Sequence, residues 1–296
     1  MYVDIAFSLN RKLQVPLLVV INSILHNVSA LNEGPPLRFN ILVPPGDRPL
    51  FTQKLREAFA KDYSESVVFR IEEFTPPDFL KHYLDNRFKE REGDRRISRY
   101  MQYARLFLKH RFPDVTRVIY LDCDTLVLGD VRSLFALGEQ FTPQQYLSAV
   151  PQFIPAVFYF TNPFKLWDDI RRFTRTFNSG VLLTDLSFWT EKTYESLRHY
   201  LNLDAQNDYK LFRLGDETVF NLMFKETYIP LDKRWNASGY GNLRPVVAFI
   251  KQDLEKMSII HWSGGYHKPW EPAEDGSGEN NGVVYADIWR SYLPTS

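Results

Sequence analysis

Short β-rich runs alternate with segments of helical periodicity along the first half of this chain, and that alternation leaves few folds open. Residues 2–7, 37–43, 66–69 and 118–121 read as strands. Between the first two, Pro16 suits a first helical turn, and Leu17, Ile21, Ile24 and Val28 recur at helical spacing. Residues 50–59 and 98–110 read as further helices. Strands joined by helical crossovers run parallel, and a parallel sheet needs helices on both faces. The expectation is an α/β chain built on a single doubly wound, mostly parallel sheet with flanking helices.

The second half is less regular. Residues 147–150, 181–186 and 257–261 read as strands and 216–224 as a helix. No internal repeat and no long linker interrupts residues 1–296, so one domain is expected. Residues 271–282, rich in Glu, Gly and Asn, read as a mobile loop ahead of a tail reaching 296. The mixed-sign run 87–99 reads as a solvated face.

Composition then removes whole classes. The 36 basic and 36 acidic side chains balance, so affinity for nucleic acid or an anionic membrane has no basic excess to rest on. One cysteine, Cys123, excludes an internal disulfide framework and a CxxC-type zinc site. The longest apolar stretch, 13–25, is broken by Gln14, Pro16, Asn22 and Ser23 and falls short of a membrane span. Asp4 stands where a signal peptide carries positive charge, so a cytoplasmic protein is expected, with peripheral membrane contact left open.

Four segments carry side chains suited to chemistry. Val118-Ile119-Tyr120-Leu121-Asp122-Cys123-Asp124 places two carboxylates where an apolar strand ends. Ligands of open α/β sheets bind there, and Asp122 and Asp124 suit a hard divalent cation; a strand-ending turn with two solvated acids is the plainer account. In Ile259-Ile260-His261-Trp262-Ser263-Gly264-Gly265, followed by Lys268-Pro269-Trp270, His261 ends another apolar strand. Gly264 and Gly265 allow close backbone approach, and Lys268 suits a phosphate; taken alone, a core histidine before a glycine turn is the plainer account. Two carboxylates with an imidazole fit Mn²⁺ better than Mg²⁺.

Phe177-Asn178-Ser179-Gly180 precedes a buried strand, and Asn178 and Ser179 suit either a polyol or a simple turn. Asp216-Glu217 opens a helix, where Asp216 serves as an N-cap or the pair faces an electron-poor carbon. Arg105 lies on the apolar side of the 98–110 helix and needs a partner, a structural carboxylate or a ligand. The aromatics Phe153, Phe158, Tyr159, Phe160, Phe164 and Trp167 read first as core and second as a surface for sugar rings.

Taken in order, Asp4-Ile5-Ala6-Phe7, Tyr103-Ala104-Arg105-Leu106, Tyr120 to Asp124, Phe177 to Val181, Asp216-Glu217 and His261 with Lys268-Pro269-Trp270 resemble glycosyltransferase family 8. The His261-Trp262-Ser263-Gly264 stretch is similar to its galacturonosyltransferase-like branch. The resemblance covers residues 2 to about 270. It implies a GT-A fold whose residues 1–135 bind the nucleotide and 136–270 the sugar and acceptor. It implies a retaining hexosyltransferase using a UDP-sugar donor (glucose, galactose or galacturonic acid type), a carbohydrate or glycoconjugate acceptor, and Mn²⁺ or Mg²⁺.

By that resemblance Asp122, Asp124 and His261 hold the metal and Lys268 meets the β-phosphate. Arg105, Asn178, Ser179 and Asp216 hold the donor sugar, and Glu217 faces its anomeric carbon. Phe7 and Asn10 fall at the base-binding end, and Gly264 and Gly265 beside the phosphates. Three differences stand out. The family usually has Asp-Gln at Asp216-Glu217. Its glycine lies three residues before the lysine, whereas Gly264 lies four before Lys268 and Gly265 three. Its first loop is acidic and aromatic, whereas Ser8 to Leu13 is neither. Two other readings remain: a nucleotide-sugar-binding protein that keeps the fold without transfer, and a nucleotidyltransferase, which the missing N-terminal glycine loop disfavours. Cys123 is expected to be a buried spacer between the two acids.

Overall fold

The expected crossovers are realised as one seven-stranded sheet with helices on both faces. The structure, a computed structural model, describes residues 1–28, 34–60, 66–271 and 283–294. Its strands are β1 (Val3–Ser8), β2 (Leu37–Val43), β3 (Val67–Glu73), β4 (Arg117–Leu121) and β5 (Thr125–Val127). There follow β6 (Leu147–Gln152), β7 (Thr176–Asp185), β8 (Ile229–Pro230), β9 (Ala237–Ser238) and β10 (Ile259–His261). The large sheet has the order β3-β2-β1-β4-β7-β6-β8. β3, β2, β1 and β4 run parallel, as do β6 and β8, while β7 is antiparallel to both its neighbours. A small sheet of order β5-β10-β9 sits beside it.

Period-two alternation sorts the strand residues between two cores. Val3, Ile5 and Phe7 of β1 and Ile119 and Leu121 of β4 meet α1 (Gln14–Asn27) and α2 (Arg48–Phe59). Ala6, Val118 and Tyr120 point the other way. There they meet α3 (Asp78–Arg87), α4 (Gly93–Ala104), α5 (Glu191–Ala205) and α6 (Asp216–Phe224). A third cluster, with Val19, Leu126, Ile260, Trp262 and Trp289, fixes the small sheet.

Several sequence readings change. The helix expected over 98–110 starts at Gly93 and breaks after Ala104 into a 3-10 turn, Arg105–Phe107. There the Arg105 side chain donates to the Gln102 carbonyl at 3.2 Å, a tightened turn of the kind found at functional sites. β7 begins five residues before the expected strand, so Asn178, Ser179 and Gly180 lie inside it rather than in a preceding turn. The first added residues pair with the end of β6 at Pro151 and Gln152, and Asn221 of α6 satisfies the Phe177 backbone, accepting from its N at 2.9 Å and donating to its O at 2.8 Å.

The aromatic stretch is also corrected. Tyr159 and Phe160 are 1% exposed, but Phe153 is 92%, Phe158 58%, Phe164 81% and Trp167 53% exposed. Short 3-10 turns carry this segment over the surface, and only two of its rings turn inward. Residues 272–282 of the expected mobile loop lie outside the described residues. Beyond them the chain is not a loose tail: Ala286–Ser291 is helical, and buried Trp289 packs 5.8 Å from Trp270. Among the described residues no helix is long and apolar enough to cross a membrane.

The run 87–99 is not wholly solvated either. Arg87 turns inward to the fully buried Asp204, which also accepts from Tyr83 Oη at 2.7 Å and Leu211 N at 2.7 Å. Removing one partner of a buried ion pair strands the other. Asp204→Ala is therefore expected to lower the unfolding free energy by about 3–5 kcal/mol, read from a urea midpoint; a change below about 1 kcal/mol would contradict the assignment.

Candidate active site

β4 ends at Leu121 and β5 begins at Thr125, so Asp122, Cys123 and Asp124 form the turn between the two sheets. Asp122 N donates to Gly180 O at 2.8 Å, and Thr125 Oγ1 to Asp122 O at 2.8 Å. The turn thus stands at the carboxyl end of a central strand. Cys123 is buried in the core cluster with Ile119, Leu121 and Val181, the burial expected of a spacer; burial pushes its thiol well above its ordinary pKa.

β10 pairs with β5 at His261 and Thr125, and this register delivers the imidazole to the acids. His261 Nε2 lies 3.1 Å from Asp124 Oδ1 and 4.0 Å from Asp122 Oδ2. One ligand atom from each of the three lies within 4.8 Å of the others. Two carboxylate oxygens and an imidazole nitrogen make a donor set that fits a divalent cation. The second ring nitrogen is anchored, as in metal sites generally: Nδ1 donates to Asn236 Oδ1 at 3.0 Å. Gly180 makes the approach possible. A Cβ there would sit 2.2 Å from His261 Cε1 and 2.8 Å from Asp122 Oδ2.

Cations border the cluster. Lys268 Nζ donates to Asp124 Oδ2 and to Trp262 O, each at 2.6 Å. Burial alone would raise the Asp124 carboxyl, but the Lys268 ammonium and His261 outweigh it and hold it well below the usual carboxylate range. Arg105, buried and 4.8 Å above the Tyr120 ring, donates to Asp122 Oδ1 at 3.2 Å, Ser179 O at 2.6 Å and Asp216 Oδ2 at 2.8 Å. The inward guanidinium therefore has structural carboxylate partners on both sides.

The α6 N-terminus brings the second acidic pair. Gly215, at φ +59°, is the cap residue, and Asp216 is spent on Arg105 instead of capping. Glu217 accepts from Tyr159 Oη and Asn178 Nδ2, each at 2.9 Å, and from Ser179 N at 3.3 Å. Gln152 Nε2 stands 3.4 Å away. Burial raises the pKa of both acids above the ordinary values. Arg105 opposes the shift at Asp216, and the Tyr159 hydroxyl and Ser179 amide oppose it at Glu217.

A cleft of about 450 Å³ opens onto the Asp122–Asp124 side of this assembly, lined by Ser8, Asn10, Arg105, Tyr120, Asp122, Asp124, Lys268 and Trp270 among others, while His261, Asn178, Ser179, Asp216 and Glu217 lie behind its wall. Not every expected residue reaches it. Phe7 is fully buried and stacked 6.5 Å from Phe39, because alternation along β1 turns it towards α1; its neighbour Ser8 faces the cleft. Asn10 lines the cleft, but its amide donates to Ser98 Oγ and its carbonyl oxygen caps Lys12 N at 3.0 Å. Gly264 adopts φ +120° and lies against Gly241, where a Cβ would come within 2.6 Å of backbone. Gly265 faces open space, so Gly264 is the glycine the loop requires. Gln152 and Asn236 had no reading as site residues, Tyr120 entered only within a quoted motif, and Tyr159, expected as core or as a ring for stacking on sugar, also donates its hydroxyl to Glu217. For Tyr120 and Gln152 the signal was present, since each sits beside the end of an expected strand.

The architecture and its three-residue cluster define a GT-A type protein with a candidate Asp-x-Asp/His cation site. The family model described as "Glycosyl transferase family 8" matches residues 4–273, and the chain belongs to that family. Among curated relatives, "Probable galacturonosyltransferase-like 2" of Arabidopsis thaliana is 32% identical over 194 residues, covering 60% of this chain and 53% of that protein. "Probable galacturonosyltransferase-like 5" of the same plant is 34% identical over 185 residues, covering 57% and 48%. The chain thus spans about half the length of the curated relatives it matches. The structure of galactosyltransferase LgtC with donor and acceptor sugar analogs shares the fold at TM-score 0.61 and 19% identity, covering 99% of this chain and 97% of that one. GlyE of Streptococcus pneumoniae TIGR4 does so at TM-score 0.65 and 19% identity, covering 100% and 61%.

Proposed function

We propose that this chain transfers a hexosyl unit from a UDP-sugar to an acceptor hydroxyl with retention at the anomeric carbon. The observation that carries this is the Asp122–Asp124–His261 cluster, whose two carboxylates line one cleft with Lys268 and Arg105 while His261 closes the cluster from the buried side. Family membership supports a sugar–nucleotide reaction, and the names of the curated relatives and of LgtC favour galacturonosyl or galactosyl donors.

Asp122, Asp124 and His261 would hold Mn²⁺, which supplies Lewis-acid stabilisation of charge on a departing diphosphate. Lys268, already within the cluster, adds a fixed cation for the same charge. In the transfer, the bond from the anomeric carbon to the diphosphate oxygen breaks and its electron pair leaves with UDP. The acceptor oxygen bonds to that carbon, and its proton passes to the released UDP. Arg105 fixes Asp216 for the donor hydroxyls. Glu217, held at both oxygens, presents a preorganised negative charge to an oxocarbenium-like centre.

A panel of UDP-glucose, UDP-galactose and UDP-galacturonic acid tests the proposal through UDP release. Turnover of at least one donor that stops on chelation is expected; no turnover of any donor with Mn²⁺ present overturns it. Release of pyrophosphate in place of UDP would instead mark a nucleotidyltransferase. The engagement of the Asn10 amide with Ser98 favours a second reading, a protein that binds nucleotide sugars without transferring them. UDP binding by calorimetry without turnover would select it.

A further inference from the structure

We propose that Asn236 is a positioning residue that orients His261 for the cation and joins it, through Asn178, to the Glu217 carboxylate. This rests on the metal-site part of the reading above. The directions of the bonds follow from one backbone group. Gly180 N–H donates to Asn178 Oδ1 at 3.0 Å, which fixes that amide without ambiguity. Asn178 Nδ2 therefore faces Glu217 Oε2, at 2.9 Å, and a carboxylate there only accepts.

Asn178 Oδ1 also only accepts, so the Asn236 atom 2.9 Å from it is the amide nitrogen. That turns Asn236 Oδ1 towards His261, and Nδ1, 3.0 Å away, must carry a hydrogen in every protonation state of the ring that keeps this bond. Nε2 is left to face Asp122 and Asp124. One donor direction runs from His261 through Asn236 and Asn178 to Glu217. Reversing Asn236 would set two donors against each other at one end and two acceptors at the other. Asn236 is 3% exposed and Asn178 8%, so water has little access to replace either bond. The consequence is that the cation site senses residue 217, which contributes no ligand to it.

The test is Mn²⁺ affinity of the full chain, read from the free-ion signal by electron paramagnetic resonance, with activity playing no part. Asn236→Leu, which removes both bonds, is expected to weaken Mn²⁺ binding roughly 10- to 100-fold. Asn236→Asp keeps the size and the acceptor for Nδ1–H but sets an acceptor against Asn178 Oδ1, and is expected to lose only the several-fold that cutting the Glu217 link costs, the partial rescue over Asn236→Leu that a mere packing role would not produce. Glu217→Ala, which takes away the last acceptor, is expected to weaken binding several-fold in the parent and not at all in Asn236→Leu. Equal losses in Asn236→Leu and Asn236→Asp, or unchanged affinity in Asn236→Leu, overturn the proposal while leaving the metal reading intact. If Asn236→Leu does not fold, additive losses for Glu217→Ala in the parent and Asn236→Asp, in which the Asn178 link is weakened, overturn it equally. No Mn²⁺ uptake by the parent chain overturns the metal reading itself, and this inference with it.

Discussion

Asp124→Asn is expected to lower Mn²⁺-dependent UDP release by about a thousandfold, close to 4 kcal/mol of transition-state stabilisation. Of the three candidate ligands, Asp124 is the one that meets both His261 and Lys268: Oδ1 faces His261 Nε2 at 3.1 Å and Oδ2 faces the Lys268 ammonium at 2.6 Å. Lys268 and His261 hold its carboxyl ionised against its burial. An asparagine keeps one oxygen, loses the charge, and turns an amide hydrogen towards either the lysine or the imidazole. The cation loses a hard anionic donor, and Lys268 loses the anchor that aims it into the cleft. Single-turnover assays on protein shown to be folded by circular dichroism make the comparison. Retention of a tenth or more of the parent rate would rule out Asp124 as a ligand.

Gly180→Ala is expected to abolish cation binding with little change of chemistry anywhere else, weakening Mn²⁺ affinity by at least a hundredfold. The added methyl would lie 2.2 Å from His261 Cε1 and 2.8 Å from Asp122 Oδ2, and both groups are held. On the β4 side Gly180 O accepts from Asp122 N at 2.8 Å, and Gly180 N is held by Asn178 Oδ1 at 3.0 Å where the β6 ladder is interrupted, so both backbone groups of residue 180 are tied. His261 is tied to Asn236 and Asp122 to Arg105 and Tyr120. The imidazole must therefore leave its place, with a packing cost of about 1–3 kcal/mol in stability. Titration with Mn²⁺ and a urea curve on the same sample separate the two effects. Parent-like affinity would show that the imidazole is not a ligand.

How much of this was legible in the sequence depended on whether the signal was local. The strands that became β1, β2 and β4 were readable because each is an apolar run between helical segments, and Asp122 and Asp124 could be placed because they follow such a run directly. The antiparallel setting of β7 was not readable, since the same apolar pattern serves either direction. Nor was the small sheet as a whole: β10 falls within the expected strand 257–261, but its partners β9, of two residues, and β5, of three, are too short to show any period. Asn236 carries no local mark; its role exists only where a 3-10 turn meets β7 across some sixty residues of chain. Phe7 is the opposite case. The period of β1 already grouped it with Val3 and Ile5, and family likeness alone drew it to the cleft. The aromatics of 153–167 failed for a different reason, because whether a ring is covered depends on partners distant in the chain.

The distribution of the indoles gives the molecule two optical vantage points. Of the 6 tryptophans, Trp189, Trp235, Trp262 and Trp289 are 5% exposed or less, whereas Trp167 is 53% exposed and Trp270 lines the cleft. Iodide or acrylamide added to the protein therefore reaches the emission of Trp167 on the outer aromatic shelf and of Trp270 at the cleft mouth, while the core stays dark to the quencher. A nucleotide seated in the cleft shields only the second of these. The quenchable fraction of the intrinsic fluorescence thereby becomes a label-free occupancy signal, and Trp167 serves as its internal reference.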